Sequence, residues 1–314
     1  MTCHGTPDTN RTCDLSLRRG LLYPLSYRGA SGNFTAWVFI ALLPLHAQAQ
    51  AWGWEDGSVP YVNTPMEIVE RMLRMAEVKS GDFVIDLGSG DGRIVIEAAK
   101  RGARGLGVDY DPRLVEAATE NARKAGVANR ARFETRDIFD TDLSPASVLT
   151  MYLLPEFNAK LLPRLLRLKP GTRIVSHDGG IGDWPPDERL EMRAPEKTVG
   201  VGGLSRVELW IVPADAHGAW SSDLAQHGGP WRFNIAQKFQ MLDVTAVAQG
   251  RDLLVRASRL RGEEVKLVVT GVVNDHAWHH LFAGTLRGDR IDGQVTVSDG
   301  NAMKVHPWHA TRAQ

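Results

Sequence analysis

Cysteine is almost missing from this chain. Only Cys3 and Cys13 occur, both near the N-terminus. They supply neither a metal-ligand spacing nor a disulfide framework. Net charge is missing too, since 37 Lys and Arg balance 37 Asp and Glu. A balanced chain lacks the broad basic surface of a general nucleic-acid binder. Long apolar runs are absent as well. The run Ala36–Leu45 is ten residues, too short to span a bilayer comfortably. No segment repeats the first domain. The histidines of the C-terminal region (Asp275-His276, His279-His280, His306, His309) have no recognisable metal-ligand spacing.

What is present is ordinary globular material. At 43% apolar residues over 314 positions, the chain can bury a sizeable core and has room for two domains. Residues 1–55 read as a leader. Residues 1–33 are polar and without apolar periodicity, as a start assigned too far upstream would be. The apolar run that follows ends in His46-Ala47-Gln48-Ala49-Gln50-Ala51, an A-x-A pattern like a secretory signal. That predicts a membrane-associated or periplasmic protein, with a cytoplasmic one as the alternative.

Residues 56–213 alternate in character. Thr64 is placed to cap a helix, with Pro65 at its first position and Glu67 completing a capping box. Strands follow over 84–87, 105–109, 131–135, 147–151 and 172–176. Helices are predicted after Gly92, over 112–125 and over 155–168. This alternation predicts an α/β fold, a Rossmann-like parallel sheet with right-handed crossovers. Arg189–Arg193 and Ser205–Val212 read as a closing hairpin around the glycine-rich Val199–Gly203. Residues 214–230, rich in Gly, Ala, His and Ser, read as a linker. From 231 to 314 short strands and turns predict a small antiparallel β domain, sandwich or barrel.

The most informative stretch is Val84-Ile85-Asp86-Leu87-Gly88-Ser89-Gly90-Asp91-Gly92-Arg93. A strand ends in a carboxylate, glycines follow at alternate positions, and a helix begins. Such a turn lets backbone approach a small charged ligand. The dinucleotide fingerprint G-x-G-x-x-G needs glycine where Arg93 stands. An acidic residue before G-x-G-x-G suits S-adenosylmethionine (SAM) instead. Amide N–H groups of Gly88 and Gly90, with the helix starting near Asp91, are candidates for its carboxylate. Asp86 is the candidate for its ammonium. Asp109, ending the second strand with Tyr110 beside it, suits the ribose diol. Asp137 and the backbone of Ile138, after the third strand, suit the adenine edge. Tyr61 is placed to close over the methionyl group. All but Tyr61 lie at carboxyl ends of parallel strands, where such sheets bind ligands.

These residues resemble the class I SAM-dependent methyltransferases. Asp86–Val95, Ala98-Ala99-Lys100-Arg101-Gly102, Pro112-Arg113-Leu114-Val115 and Trp184-Pro185-Pro186-Asp187 look most like the lysine methyltransferases that modify the ATP synthase c subunit and the adenine nucleotide translocase. Val108-Asp109-Tyr110-Asp111 replaces that family's usual Tyr-Glu-Leu-Asn. The resemblance implies SAM as cofactor and a protein lysine as acceptor; with the signal-like segment, the expected partner is a membrane-associated protein substrate.

Met151-Tyr152-Leu153-Leu154-Pro155-Glu156 follows the fourth strand, where acceptors meet the methyl in this fold. It is not the Asn/Asp-Pro-Pro-Tyr box of enzymes that methylate nucleic-acid amino groups, so nucleic acid is not the expected substrate. Tyr152 and Glu156 are the catalytic candidates, Tyr152 lining the methyl site and Glu156 holding an ammonium or taking a proton. Ser176-His177-Asp178 offers a further base, with His177 more readily structural. The rival readings are a small-molecule O- or N-methyltransferase and a SAM-binding interaction protein without turnover.

Overall fold

The computed structural model describes residues 61–199, 202–224, 229–273 and 276–313. The signal-like segment and the leader up to residue 55 lie outside the described residues. Seven strands form one mixed sheet in the order β3-β2-β1-β4-β5-β7-β6. They are β1 (Phe83–Leu87), β2 (Arg104–Asp109), β3 (Ala131–Thr135), β4 (Val148–Met151), β5 (Arg173–His177), β6 (Glu188–Arg193) and β7 (Leu204–Ile211). The first five run parallel; β7 is antiparallel to β5 and forms a hairpin with β6. The helices are α1 (Met66–Met75), α2 (Arg93–Lys100), α3 (Pro112–Lys124) and α4 (Pro155–Leu165).

The strands are apolar at consecutive positions because both faces of the sheet are covered. Val84, Val148, Val175, Val207 and Leu209 pack with α1 residues Ile68, Val69, Met72 and Leu73. Their neighbours Ile85, Leu149, Ile174 and Trp210 pack on the other face with α4 residues Leu161 and Leu165. Strand alternation thus splits one apolar run between two cores.

The start of α1 differs from the capping-box expectation. Pro65, not Thr64, occupies the cap, and no side chain caps the helix. The Thr64 carbonyl instead accepts from Arg93 Nη1 at 2.8 Å, which ties α1 to the glycine turn.

The second body is a closed eight-stranded antiparallel barrel, ordered β10-β11-β12-β13-β14-β15-β8-β9. Its strands are β8 (Gly218–Ser222), β9 (Trp231–Lys238), β10 (Met241–Ala248), β11 (Arg251–Arg261), β12 (Glu264–Val273), β13 (His276–Arg287), β14 (Arg290–Ser298) and β15 (Met303–Arg312). The expected linker over 214–230 is corrected here, since β8 lies inside it. β8 pairs with both β9 and β15, and these pairings close the barrel. Closure leaves no strand edge exposed. Trp220, Trp231, Phe233, Phe282 and Trp308 fill the interior. Gly284 and Gly293 pair across β13 and β14. A Cβ at Gly284 would lie 3.1 Å from the Trp308 ring, and one at Gly293 would lie 2.0 Å from the Ala283 carbonyl oxygen. Glycine is therefore required for this close approach.

The barrel docks on the sheet through the segment between β5 and β6. Trp184 is buried and donates its indole N–H to Gln240 Oε1 at 2.8 Å, while Gln240 Nε2 donates to the Pro185 carbonyl at 2.7 Å. Phe239 stacks on the Trp184 ring at 6.0 Å. Gln240→Ala leaves the buried Trp184 N–H without its acceptor. It is expected to cost about 1–3 kcal/mol, read as a lowered midpoint in thermal or urea unfolding.

Candidate functional site

The carboxyl ends of β1, β2 and β4 meet around the glycine turn. Gly88, Gly90 and Gly92 all hold left-handed backbone, with φ of 76°, 53° and 82°. A Cβ at Gly90 would lie 2.2 Å from Tyr61 Cε2, so only glycine admits the Tyr61 ring here. The Tyr61 hydroxyl accepts the Asp91 N–H at 3.1 Å. Tyr61 thus lies across the turn.

The turn's amide groups are used differently from the expectation. Gly88 N–H donates to the Val108 carbonyl, and Gly90 N–H donates to Asp109 Oδ2 at 2.8 Å. Both are spent inside the protein. Gly88 and Gly90 therefore shape the cleft rather than present free donors to a ligand. Helix α2 begins at Arg93, behind a left-handed Gly92, rather than at Asp91. Arg93 pairs with Asp91 at 2.5 Å, which fixes the turn against α1.

Tyr61, Asn63, Asp86, Ser89, Arg93 and Tyr152 are among the residues lining a small cleft at this end of the sheet. Asp86 is 2% exposed and accepts from Thr150 Oγ1 at 2.6 Å. Burial, then the nearby Asp109 and Asp91 charges, push its pKa up to about 7, against the opposing Thr150 hydrogen bond. Ser89 Oγ is buried and makes no hydrogen bond among the described residues. This hydroxyl was not singled out from sequence, although it sits between the two glycines.

Asp109 holds two backbone amides: Gly90 N–H on Oδ2 and Asp111 N–H, at 3.0 Å, on Oδ1. Each oxygen keeps a second lone pair for a diol. Tyr110 beside it is 81% exposed. Asp137 is exposed and its Oδ1 accepts Phe139 N–H at 2.7 Å, a turn-forming bond, with Ile138 half-buried next to it.

On the acceptor side, Tyr152 is half-buried with its ring 4.1 Å from that of His177. Burial and the Asp178 carboxylate push its phenol up to about 12, so it is neutral at physiological pH. His177 is fully buried, close to Thr64 Oγ1 (3.4 Å) and Ser205 Oγ (3.0 Å), and burial drives it down to about 4. It is a neutral packing group rather than a base. Glu156 is exposed on the first turn of α4 and is not among the cleft-lining residues. The ammonium-holding role expected for it is not supported by its position, which suits a favourable helix N-terminal charge instead. Sequence reasoning named Asp178 only within the Ser176-His177-Asp178 run that could offer a base, and assigned no role to Lys197.

The family model described as the ANTKMT methyltransferase domain matches residues 86–188. A protein-lysine N-methyltransferase of Saccharolobus islandicus is 44% identical over 137 residues, covering 43% of this chain and 85% of that protein. The mouse adenine nucleotide translocase lysine N-methyltransferase is 33% identical, covering 64% of this chain and 81% of its own length. The chain belongs to this family of class I SAM-dependent methyltransferases. A solved structure of an RNA methyltransferase from Salinibacter ruber, in complex with S-adenosyl-L-homocysteine, is 46% identical. It covers 49% of this chain and 95% of that one, with a TM-score of 0.44.

SAM is the cofactor of this methyltransferase, and the cleft's chemistry fits it. Burial and neighbouring carboxylates disfavour the ionised form of Asp86, and no cationic side chain among the described residues offsets them. A ligand ammonium is the missing partner. Asp86 would hold that ammonium, Asp109 the ribose, and Asp137 with Ile138 the adenine edge.

Two outcomes are expected. Asp86 is raised above its unfolded value, so its effect on the free enzyme's stability is most favourable below about pH 4 and is lost as pH rises to about 7. Binding an ammonium needs the ionised form, so SAM affinity falls by up to about tenfold per unit as pH drops below about 7. Asp86→Asn should flatten that dependence, weaken SAM, and raise the free protein's melting point at pH 8. Calorimetric titration and thermal unfolding across pH 5–9 check both. Asp109→Ala removes the diol acceptor and the Gly90 anchor together, and is expected to abolish SAM binding in the same titration.

Proposed function

We propose that this enzyme methylates a protein lysine. The observation that carries the reading is the 44% identity to a protein-lysine N-methyltransferase across 85% of that protein. The geometry supports it. The segment after β4 presents Tyr152, a neutral phenol, where an Asn/Asp-Pro-Pro-Tyr box would present an amide and a stacking ring to a base.

When bound, SAM supplies a sulfonium methyl whose C–S bond breaks as the acceptor nitrogen's lone pair forms the new N–C bond, leaving S-adenosylhomocysteine while the nitrogen's proton goes to solvent. This activated donor leaves the protein two tasks: aligning an uncharged amine and excluding water. Tyr152 provides alignment at the β4 end. Tyr61 and the half-buried Leu153, whose Cδ2 would touch a Cβ at Gly88 at 3.0 Å, cover the turn from either side. The signal-like segment at 36–51 supports a membrane-associated or periplasmic location, and hence an acceptor at a membrane.

The test incubates the full chain with methyl-tritiated SAM and, separately, membrane proteins, total RNA and a small-metabolite extract. Label in protein, recovered as methylated lysine after acid hydrolysis, is the expected result. Label confined to RNA or metabolites, or SAM binding without any transfer, overturns the lysine reading. Cell fractionation with sequencing of the mature N-terminus checks the location.

A further inference from the structure

The turn after β3 is held from outside by α4. Residues 136–141 form neither helix nor strand, yet they carry Asp137 and Ile138, the candidates for the adenine edge. Helix α4 lays one face against them. Phe157, Lys160 and Arg164 recur at spacings of three and four, which puts them on one side of the helix. The Phe157 ring meets the Phe139 ring edge-on, with centroids 5.8 Å apart, and Lys160 Nζ lies 3.9 Å from the centre of the Phe139 ring. Arg164 donates to three carbonyls of the turn. Nη1 donates to that of Phe139 and, more weakly at 3.4 Å, to that of Ile138, while Nη2 donates to that of Thr141.

Two of these bonds bear on the groups that face a ligand. A peptide unit is planar and trans, so its C=O and N–H point in opposite directions. The Ile138 carbonyl shares its unit with the Phe139 N–H, which Asp137 Oδ1 accepts at 2.7 Å. Arg164 holds one end of that unit and the Asp137 carboxylate is tied to the other, with Oδ2 left for the adenine amino group. The preceding unit is fixed at one remove. Thr141 is fully buried, has its carbonyl on Arg164, and donates its hydroxyl to the Asp137 carbonyl at 2.8 Å. The Asp140 N–H reaches the same carbonyl at 3.2 Å. The Asp137 carbonyl shares its unit with the Ile138 N–H, so holding the one aims the other. A planar guanidinium with five donors in a fixed fork can bridge carbonyls in this way. A lysine ammonium on a flexible stem cannot hold all three in one geometry.

We propose that Arg164 is a positioning residue for the cofactor, which through the carbonyls of the 137–141 turn aims the Asp137 carboxylate and the Ile138 N–H at the adenine edge. The proposal rests on the assignment of that turn to adenine and goes beyond it in naming what makes the turn selective. Adenine offers an amino donor and a ring-nitrogen acceptor side by side. Hypoxanthine reverses both, with a carbonyl and a ring N–H. An aimed turn rejects the reversed pattern; a loose one turns to suit either.

Calorimetric titration of the full chain with S-adenosylhomocysteine and with S-inosylhomocysteine tests it, and needs no methyl acceptor. The wild-type chain should prefer the adenosyl ligand by roughly tenfold or more. Arg164→Ala should weaken the adenosyl ligand about tenfold and leave the inosyl ligand within about twofold, so that the preference collapses. Arg164→Lys should restore part of it. Thr141→Val, close to isosteric, loosens the same turn from inside and should narrow the preference in the same direction; it serves if Arg164→Ala fails to fold. Equal losses for both ligands mean that Arg164 only braces the cleft, and overturn the proposal. Asp137→Ala separates the proposal from the assignment beneath it. A preference that survives Asp137→Ala means that Asp137 does not read adenine, which overturns both. A preference that falls with Asp137→Ala but survives Arg164→Ala overturns the proposal alone.

Discussion

One hydrogen bond organises the cofactor end of this protein: Gly90 N–H to the Asp109 carboxylate. It joins the turn after β1 to the tip of β2, so the glycine bend and the second acidic strand end cannot move independently. The same carboxylate takes the Asp111 amide, which starts the cap of α3; Asp111 then accepts the Arg113 N–H at 2.9 Å. The Asp109 carboxylate, the candidate ribose acceptor, is thus fixed by the fold itself. That is preorganisation at low cost, because the amides it satisfies would otherwise be left unpaired at a helix start and a tight turn. The charge left over is informative. Asp86, Asp91 and Asp109 crowd one turn, and only Asp91 has its own arginine, Arg93. The cleft is built with an excess of negative charge that a cationic ligand relieves.

The two faces of the sheet divide the work. On the α1 face, polar groups gather at the carboxyl ends: Asp86 with Thr150, His177 with Thr64 and Ser205. On the α4 face, Trp184 and Trp210 join the aliphatic core, and the Trp210 indole donates to the Trp184 carbonyl at 3.0 Å. Buried polar side chains are tolerated only where each finds a partner. On the α4 face the buried Asn158 donates to the Gly180 carbonyl at 3.3 Å, so both faces carry buried polar groups near the strand ends.

The parallel sheet was legible because its signals are local. A buried strand, a glycine turn and an amphipathic helix each announce themselves within about ten residues. The places of Asp86 and Asp109 near the ends of β1 and β2 were readable for the same reason, since strand-tip position is a local property. What escaped depends on distant pairing. Lys197 sits in the connection between β6 and β7, and nothing within its own segment says that it is buried against Asp178. The strand β15 carries Pro307 in its middle, which counts against a strand on local grounds. The barrel accepts it because closure is set by the pairing of β15 with β14 and β8. Likewise β8 looked like linker, since its Gly-Ala-Ser composition gains a strand's stability only from partners on both sides. Glu156 was misjudged in the opposite sense: its local position after β4 suggested the cleft, but the first turn of α4 turns it to solvent.

The barrel lies outside the resemblance on which the methyltransferase reading began, yet it is fastened to a segment that belongs to it. Trp184-Pro185-Pro186-Asp187 supplies the Trp184 and Pro185 groups that Gln240 grips. Asp187 takes the Ile211 amide at 2.8 Å, and Glu188 pairs with Arg261 of the barrel at 2.5 Å. The Ala214 N–H reaches the Gly262 carbonyl at 2.8 Å. This clamped segment begins at Asp178. Its first residue is held by Lys197 and the Arg206 N–H, and its last residues hold the barrel, so the segment is tethered at both ends. A short connection fixed at only one end would sample many conformations and lose the alignment a displacement reaction requires.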